Sequence, residues 1–251
     1  MDRTIIIVGD SLGCPRPWEG VDLKTTYAFQ LDELLGGANF VANYSASDNS
    51  SARSIKEAFL RTYVRAAGAN YAIVQLGIVD CAPRLLGTFE RGIGFLANRV
   101  APLRPLFRAY VGFKSRHRYR LTRMFPRTLV PIAQFASNYR TLLSELIAHN
   151  PIETIYLVNI AYPGAILTER SYHILENIAA YNAVIASFQT VFPGKICIVD
   201  LFARTAERRD WITPEDGHHL FPAAHDWIAA TISHTMLRRG SARASGAASS
   251  S

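Results

Sequence analysis

Thr4-Ile5-Ile6-Ile7-Val8-Gly9-Asp10-Ser11-Leu12 is the stretch that decides the fold. Its first five residues are β-branched and lack polar alternation, the pattern of a strand covered on both faces rather than one. Gly9-Asp10 then turns the chain and leaves a serine hydroxyl at the carboxyl end of that strand.

Working outward, similar short runs recur at Phe40–Asn43, Tyr71–Leu76, Thr154–Ile160 and Lys195–Val199. Helical spacing fills the gaps at Thr25–Leu35, Ala52–Ala67, Ala133–His149 and Ser171–Phe188, with Pro222–Leu237 after the last strand. The Ser50-Ser51 pair is expected to cap the second helix, and Gly36-Gly37, Gly68 and Asn150-Pro151 supply stops. Alternation of this kind implies an α/β fold: a five-stranded parallel sheet between two helical layers, with ligands at the carboxyl ends of the strands.

Two regions depart from the alternation. Residues 81–132 are too long for an ordinary connection and are expected to form a helical insertion after the third strand, a cap or lid on a domain spanning 1–239. Residues 240–251, almost wholly Gly, Ala and Ser, are expected to be a disordered tail.

The insertion also changes the meaning of the charge. The 251 residues carry a net +7, yet Arg84 to Arg127 alone hold ten arginines and Lys114 against the single acid Glu90. Outside that stretch 16 basic and 19 acidic residues leave −3, so an anionic partner is to be sought at the insertion. Its arginines interleave with Phe107, Tyr110, Phe113, Tyr119 and Phe125, a mixture that suits phosphate, carboxylate or sugar ligands before nucleic-acid backbones. An apolar stripe of Val100, Leu103, Leu106, Phe107, Tyr110 and Val111 also fits peripheral contact with an anionic membrane surface, or the underside of a lid.

Composition excludes several classes. With 49% hydrophobic and 19% charged residues the chain can bury a core and is neither disordered nor fibrous. Three scattered cysteines do not make a disulfide framework, no Cys/His cluster indicates zinc, and no long apolar run indicates a membrane span. A cytoplasmic protein without metal or other cofactor is the expectation.

The chemistry is expected at Ser11. A serine hydroxyl is a weak nucleophile until a base within hydrogen-bond reach takes its proton and a third group orients that base. Thr213-Pro214-Glu215-Asp216-Gly217-His218-His219 supplies an acid and a histidine three residues apart. Asp216 can hold His219 Nδ1 and leave Nε2 for Ser11, with His218 the competing neighbour and His225 expected only to pack or cap the last helix.

Gly9-Asp10-Ser11-Leu12 after the first strand, together with Asp216-x-x-His219 near the other end, resembles the SGNH (GDSL) hydrolases over residues 4 to 237. The resemblance implies a flavodoxin-like three-layer α/β/α sandwich and a serine esterase or lipase activity. Two blocks depart from the family's pattern. Where the family has an oxyanion-hole glycine after the second strand, the chain reads Asn43-Tyr44-Ser45-Ala46-Ser47-Asp48-Asn49, which leaves a backbone N–H of Ser45 or a neighbour to serve. Where the family has Gly-x-Asn-Asp after the third strand, it reads Gly77-Ile78-Val79-Asp80, and Val79 has no side-chain donor. Asn43, Asn49 or the cationic Arg84 is the expected replacement, while Asp10 and Asp80 are expected to organise loops.

The resulting expectation is a serine ester hydrolase that removes a small acyl group such as O-acetyl from a sugar, glycan or lipid-like substrate, anionic substrates included. The alternatives are an O-acyltransferase with the same triad and a catalytically degenerate binding module of a glycan-biosynthesis assembly.

Overall fold

The structure, a computed structural model, describes residues 3–248. Five strands, β1 (Thr4–Gly9), β2 (Phe40–Asn43), β3 (Tyr71–Gln75), β4 (Thr154–Val158) and β5 (Ile196–Val199), form one parallel sheet in the order β2-β1-β3-β4-β5. Between β1 and β3 the chain reverses its direction of travel across the sheet, so their carboxyl ends diverge into a crevice. Ser11 follows β1 directly and therefore stands at that crevice.

The strands at the centre bear out the reading of continuous apolar runs. Ile5, Ile6, Ile7 and Val8 are fully buried, each worth about 1.5–3 kcal/mol relative to exposure. Helices Tyr27–Leu34 and Pro222–Ala248 pack together on one face of the sheet. On the other lie Ile132–His149 and Ile174–Val191, the first burying Phe135, Tyr139, Leu142 and Leu146 at helical spacing. The architecture is the three-layer α/β/α sandwich. β2 differs from the expectation of two covered faces: it is an edge strand, and Phe40 is 65% exposed.

The second connection is not the single helix expected over Ala52–Ala67. It is a short turn of helix, Ser51–Ser54, an extended residue at Lys56, then Glu57–Phe59 and a π-type turn Leu60–Val64. The first piece is fixed by Ser51, whose N–H and hydroxyl donate to Asp80; the last turns Leu60 and Val64 into the core. Ser50 occupies the cap position without a side-chain cap bond, because the anchoring serine is Ser51.

The insertion contains three helices, Thr88–Arg99, Leu103–Arg116 and Arg118–Met124. The expected tail is corrected in part. The last helix runs on to Ala248, through an Ala-rich segment with no proline to stop it, and 249–251 lie outside the described residues. Among the described residues no helix is long and apolar enough to cross a membrane.

Candidate active site

The turn after β1 is built around Asp10. This buried residue caps a short 3-10 helix, Ser11–Gly13, by accepting the Leu12 N–H at 3.0 Å, while its own N–H donates to the Gln75 carbonyl at 3.1 Å. Burial, opposed by the Leu12 hydrogen bond and reinforced by the charge of Asp80, pushes the Asp10 carboxyl up to about 7. Gly9 and Gly13 let the loop after β2 come close, since a Cβ at either position would run into Ser45 Oγ. Serine 11 is thus presented on a rigid turn at the crevice.

The opposing loop is closed by an Ile212–Leu220 bridge and by the Thr213 N–H, which donates to the His219 carbonyl at 2.9 Å. Gly217 takes a left-handed φ of 75° at its tip. Asp216 clamps the loop from within: Oδ1 accepts from the backbone N–H of His218 (3.0 Å) and His219 (3.1 Å) and from the Thr213 hydroxyl (2.8 Å). Its Oδ2 accepts from His219 Nδ1. Burial raises the Asp216 carboxyl, but these hydrogen bonds and the nearby His218 outweigh it and hold the group well below the usual carboxylate range. Asp216 is therefore an anion that fixes the tautomer of His219.

With Nδ1 so engaged, His219 Nε2 faces Ser11, and the hydroxyl lies 3.0 Å from it. Both residues are nearly buried, 208 positions apart in sequence. The three residues singled out at Ser11, Asp216 and His219 are brought together in one hydrogen-bonded chain. Asp216, His218 and His219 also present ligand atoms within 4.8 Å of one another, the arrangement of a metal group. A cation there would have to take Nδ1 of His219 from Asp216 or Nε2 from Ser11.

A cavity of about 340 Å³ opens over Ser11 and His219, and Arg16, Ser47, Val79, Arg84, Arg118 and His218 share its wall. Of the other candidates only Arg84 lines it, with Nη2 donated to the Val79 carbonyl at 2.5 Å. The remaining side chains are engaged elsewhere, which corrects their expected place at the oxyanion. Asn43 donates its amide to the Gly13 carbonyl (3.0 Å) and Asn49 to the Gly9 carbonyl (2.9 Å), so both hold the turn that carries Ser11. The N–H of Ser45 donates to Asn43 Oδ1, and those of Tyr44 and Ala46 donate to the carbonyls of Ile7 and Gly9. Among the described residues that line the cavity, the N–H groups of Ser11, Ser47, Asp48, Ile78 and Val79 have no acceptor within the protein.

Gly77 and Asp80 support the site from below. Gly77 has a φ of 143°, and a Cβ there would meet Ile160. Asp80 joins the loops after β2 and β3 through Ser51 and is pushed up to about 6, chiefly by burial. His225 does cap a helix, although a different one: its Nδ1 accepts the Tyr27 N–H at 3.3 Å, at the start of Tyr27–Leu34. Burial holds that imidazole down at about 4, in the neutral form an acceptor needs.

Sequence reasoning missed Arg16 as a wall residue, and named Ser47 only within the loop after β2 and His218 only as the competing neighbour of His219. His218, the competing neighbour, packs its ring against His219 at 4.0 Å between centroids. Arg16 pairs with Glu19 at 2.5 Å and stands 3.9 Å from Asp216 Oδ2. Arg118 lies in the dense basic run 114–120, which flagged the stretch but not which of its residues reaches the cavity over Ser11.

No protein-family model and no curated protein matches the chain. Solved structures do. The chain is similar to a lipase/acylhydrolase from Enterococcus faecalis, with a TM-score of 0.64 at 13% identity over 94% of this chain and 96% of that one. It is similar to an acetylxylan esterase from Geobacillus stearothermophilus, at 0.60 and 16% over 92% of each chain. A carbohydrate acetylesterase family member from Sinorhizobium meliloti gives 0.57 at 13%, over 93% and 97%. At such identities the likeness is one of fold.

Proposed function

We propose that the chain is a serine ester hydrolase acting on a small acyl group, O-acetyl foremost, carried by a sugar or glycan. The observation that carries this reading is the Ser11 hydroxyl 3.0 Å from a His219 whose other ring nitrogen is held by an anionic Asp216. The acetylxylan and carbohydrate acetylesterases that share the fold support the choice of acyl group and alcohol.

In this mechanism the Ser11 oxygen attacks the acyl carbonyl carbon and its proton passes to His219 Nε2. Asp216 stabilises the resulting imidazolium without taking the proton itself. The backbone N–H groups of Ser11 and Ser47 receive the negative oxygen of the tetrahedral intermediate. Collapse breaks the bond to the alcohol, which leaves with the proton from Nε2. Water, deprotonated by the same nitrogen, then attacks the acyl-serine and releases the carboxylic acid and the free hydroxyl. Val79 brings no side-chain donor to the cavity, and one missing oxyanion donor typically lowers turnover by about 10²–10³. The site is accordingly expected to be a slow member of its chemical class.

Hydrolysis of p-nitrophenyl acetate and of acetylated sugars by the parent and by Ser11→Ala tests the reading. The substitution should lower kcat by about 10⁴-fold or more with the fold intact by circular dichroism. Hydrolysis that survives the change, or its absence in the parent, overturns it.

A further inference from the structure

The wall of the cavity that faces Ser11 contains more positive charge than the catalytic chain needs. Arg84 and Arg118 come from the basic insertion, and both reach the same cavity as Ser11 and His219. Arg118 is fixed by neutral acceptors: Nε donates to Ser171 Oγ and Nη2 to the Pro83 carbonyl, both at 2.9 Å. These bonds set the plane of the guanidinium and leave its charge uncompensated. Among the described residues no carboxylate pairs with Arg118. Burial, and then the like charges of Arg170 and Arg84, all disfavour its charged form.

A guanidinium does not escape such a setting by losing its proton, because its pKa stays far above neutrality. The uncompensated charge of Arg118, with the like charges of Arg170 and Arg84 near it, therefore raises the energy of the empty site, and an anion entering the cavity lowers it. Guanidinium groups suit planar, multiply accepting oxyanions, carboxylate and phosphate above all. The cavity's about 340 Å³ leaves room for a single sugar ring with its acyl group and one acidic substituent.

We infer that Arg84 and Arg118 form an anion-binding subsite beside Ser11, selecting an ester whose sugar half carries a carboxylate or a phosphate. This rests on the esterase reading for what happens at Ser11, but the binding of the anion does not.

The experiment is a calorimetric titration of the full chain with glucuronate, glucose 6-phosphate and glucose, repeated on Arg118→Gln and Arg84→Gln. Glucuronate tighter than glucose identifies a carboxylate ligand, and glucose 6-phosphate tighter than glucuronate a phosphate one. In either case the preference should be about ten-fold or more in the parent and collapse toward unity in Arg118→Gln. It should also shrink with added salt in the parent, a measurement that stands if a variant fails to fold. Equal affinity for the acidic and neutral sugars, undetectable binding of both acidic sugars, or a preference that survives both substitutions, overturns the subsite. A parallel comparison of acetylated glucuronate with acetylated glucose as substrates separates the two readings. Acidic-sugar binding without turnover retains the subsite and sinks the esterase, whereas turnover without an acidic preference does the reverse.

Discussion

The sandwich and the insertion are held together by opposite means. In the sandwich, cohesion comes from aliphatic side chains such as Ile5, Ile6, Ile7 and Ile73, all removed from water between two layers. In the insertion the large apolar groups face outward, with Leu106 70% and Met124 68% exposed. Besides the packing of Phe107 on Gly94, its first two helices are tied by the carboxylate of Glu90, which accepts from the Gly87 N–H at 2.7 Å and from Lys114 and Tyr110 at its other oxygen. Hydrophobic burial is spread over many residues and tolerates salt and pH, whereas a single anion among eleven cations concentrates the polar part of the cohesion in one titratable group. The region that lends arginines to the cavity is thus the one whose arrangement solvent conditions can alter.

The largest break in that contrast comes from the core. Ile6→Ala should cost about 2–5 kcal/mol in denaturant unfolding, since the surrounding layers close the cavity only in part. Leu106→Ala, of similar chemistry, should fall within about 0.5 kcal/mol. A comparable loss at both positions would mean that the insertion's outer face is covered in solution.

Next in size is the effect of Glu90. Hydrogen bonds from Lys114 and Tyr110 lead the causes that lower its carboxyl below its ordinary 4.5. Its contribution is therefore present above about 4.5 and is lost as the pH falls toward the lowered value. Hydrogen exchange should show Thr88–Arg116 losing protection on acidification before the strands do, and Glu90→Gln should bring that opening to neutral pH. Simultaneous loss in both regions would refute a separate tie.

The smallest effect concerns Asp10, the buried acid in the turn that carries Ser11. A carboxyl raised from 3.8 to about 7 favours the folded state most below 3.8, and that advantage disappears as the pH rises through about 7. Asp10→Asn keeps an oxygen for the Leu12 N–H and removes the charge. Its Tm should therefore change less between pH 5 and pH 8 than the parent's, by a few degrees. An unchanged slope would show that Asp80, raised to about 6, carries the dependence instead.

The parts of the site that were legible in the sequence are those whose geometry is local. Asp216 and His219 stand three residues apart on a loop that one carboxylate can clamp, so their pairing follows from spacing. Which side chains would face the cavity was not legible. Whether Asn43 or Asn49 offers its amide to a substrate depends on which carbonyl lies within reach, and here the Gly13 and Gly9 carbonyls lie nearer. Likewise the run from Lys114 to Arg120 announces charge, while its turn of helix selects Arg118 to face Ser11.

By itself, then, the sequence determined the central strands, the parallel order and the serine at the end of β1, because hydrophobic period and turn chemistry act over a few residues. Only the tertiary structure decided that β2 stays half exposed, that Ser11 meets His219 across 208 positions, and which nitrogens remain for a ligand. Those outcomes depend on competition among acceptors that folding brings together, and distance along the chain has no influence on it.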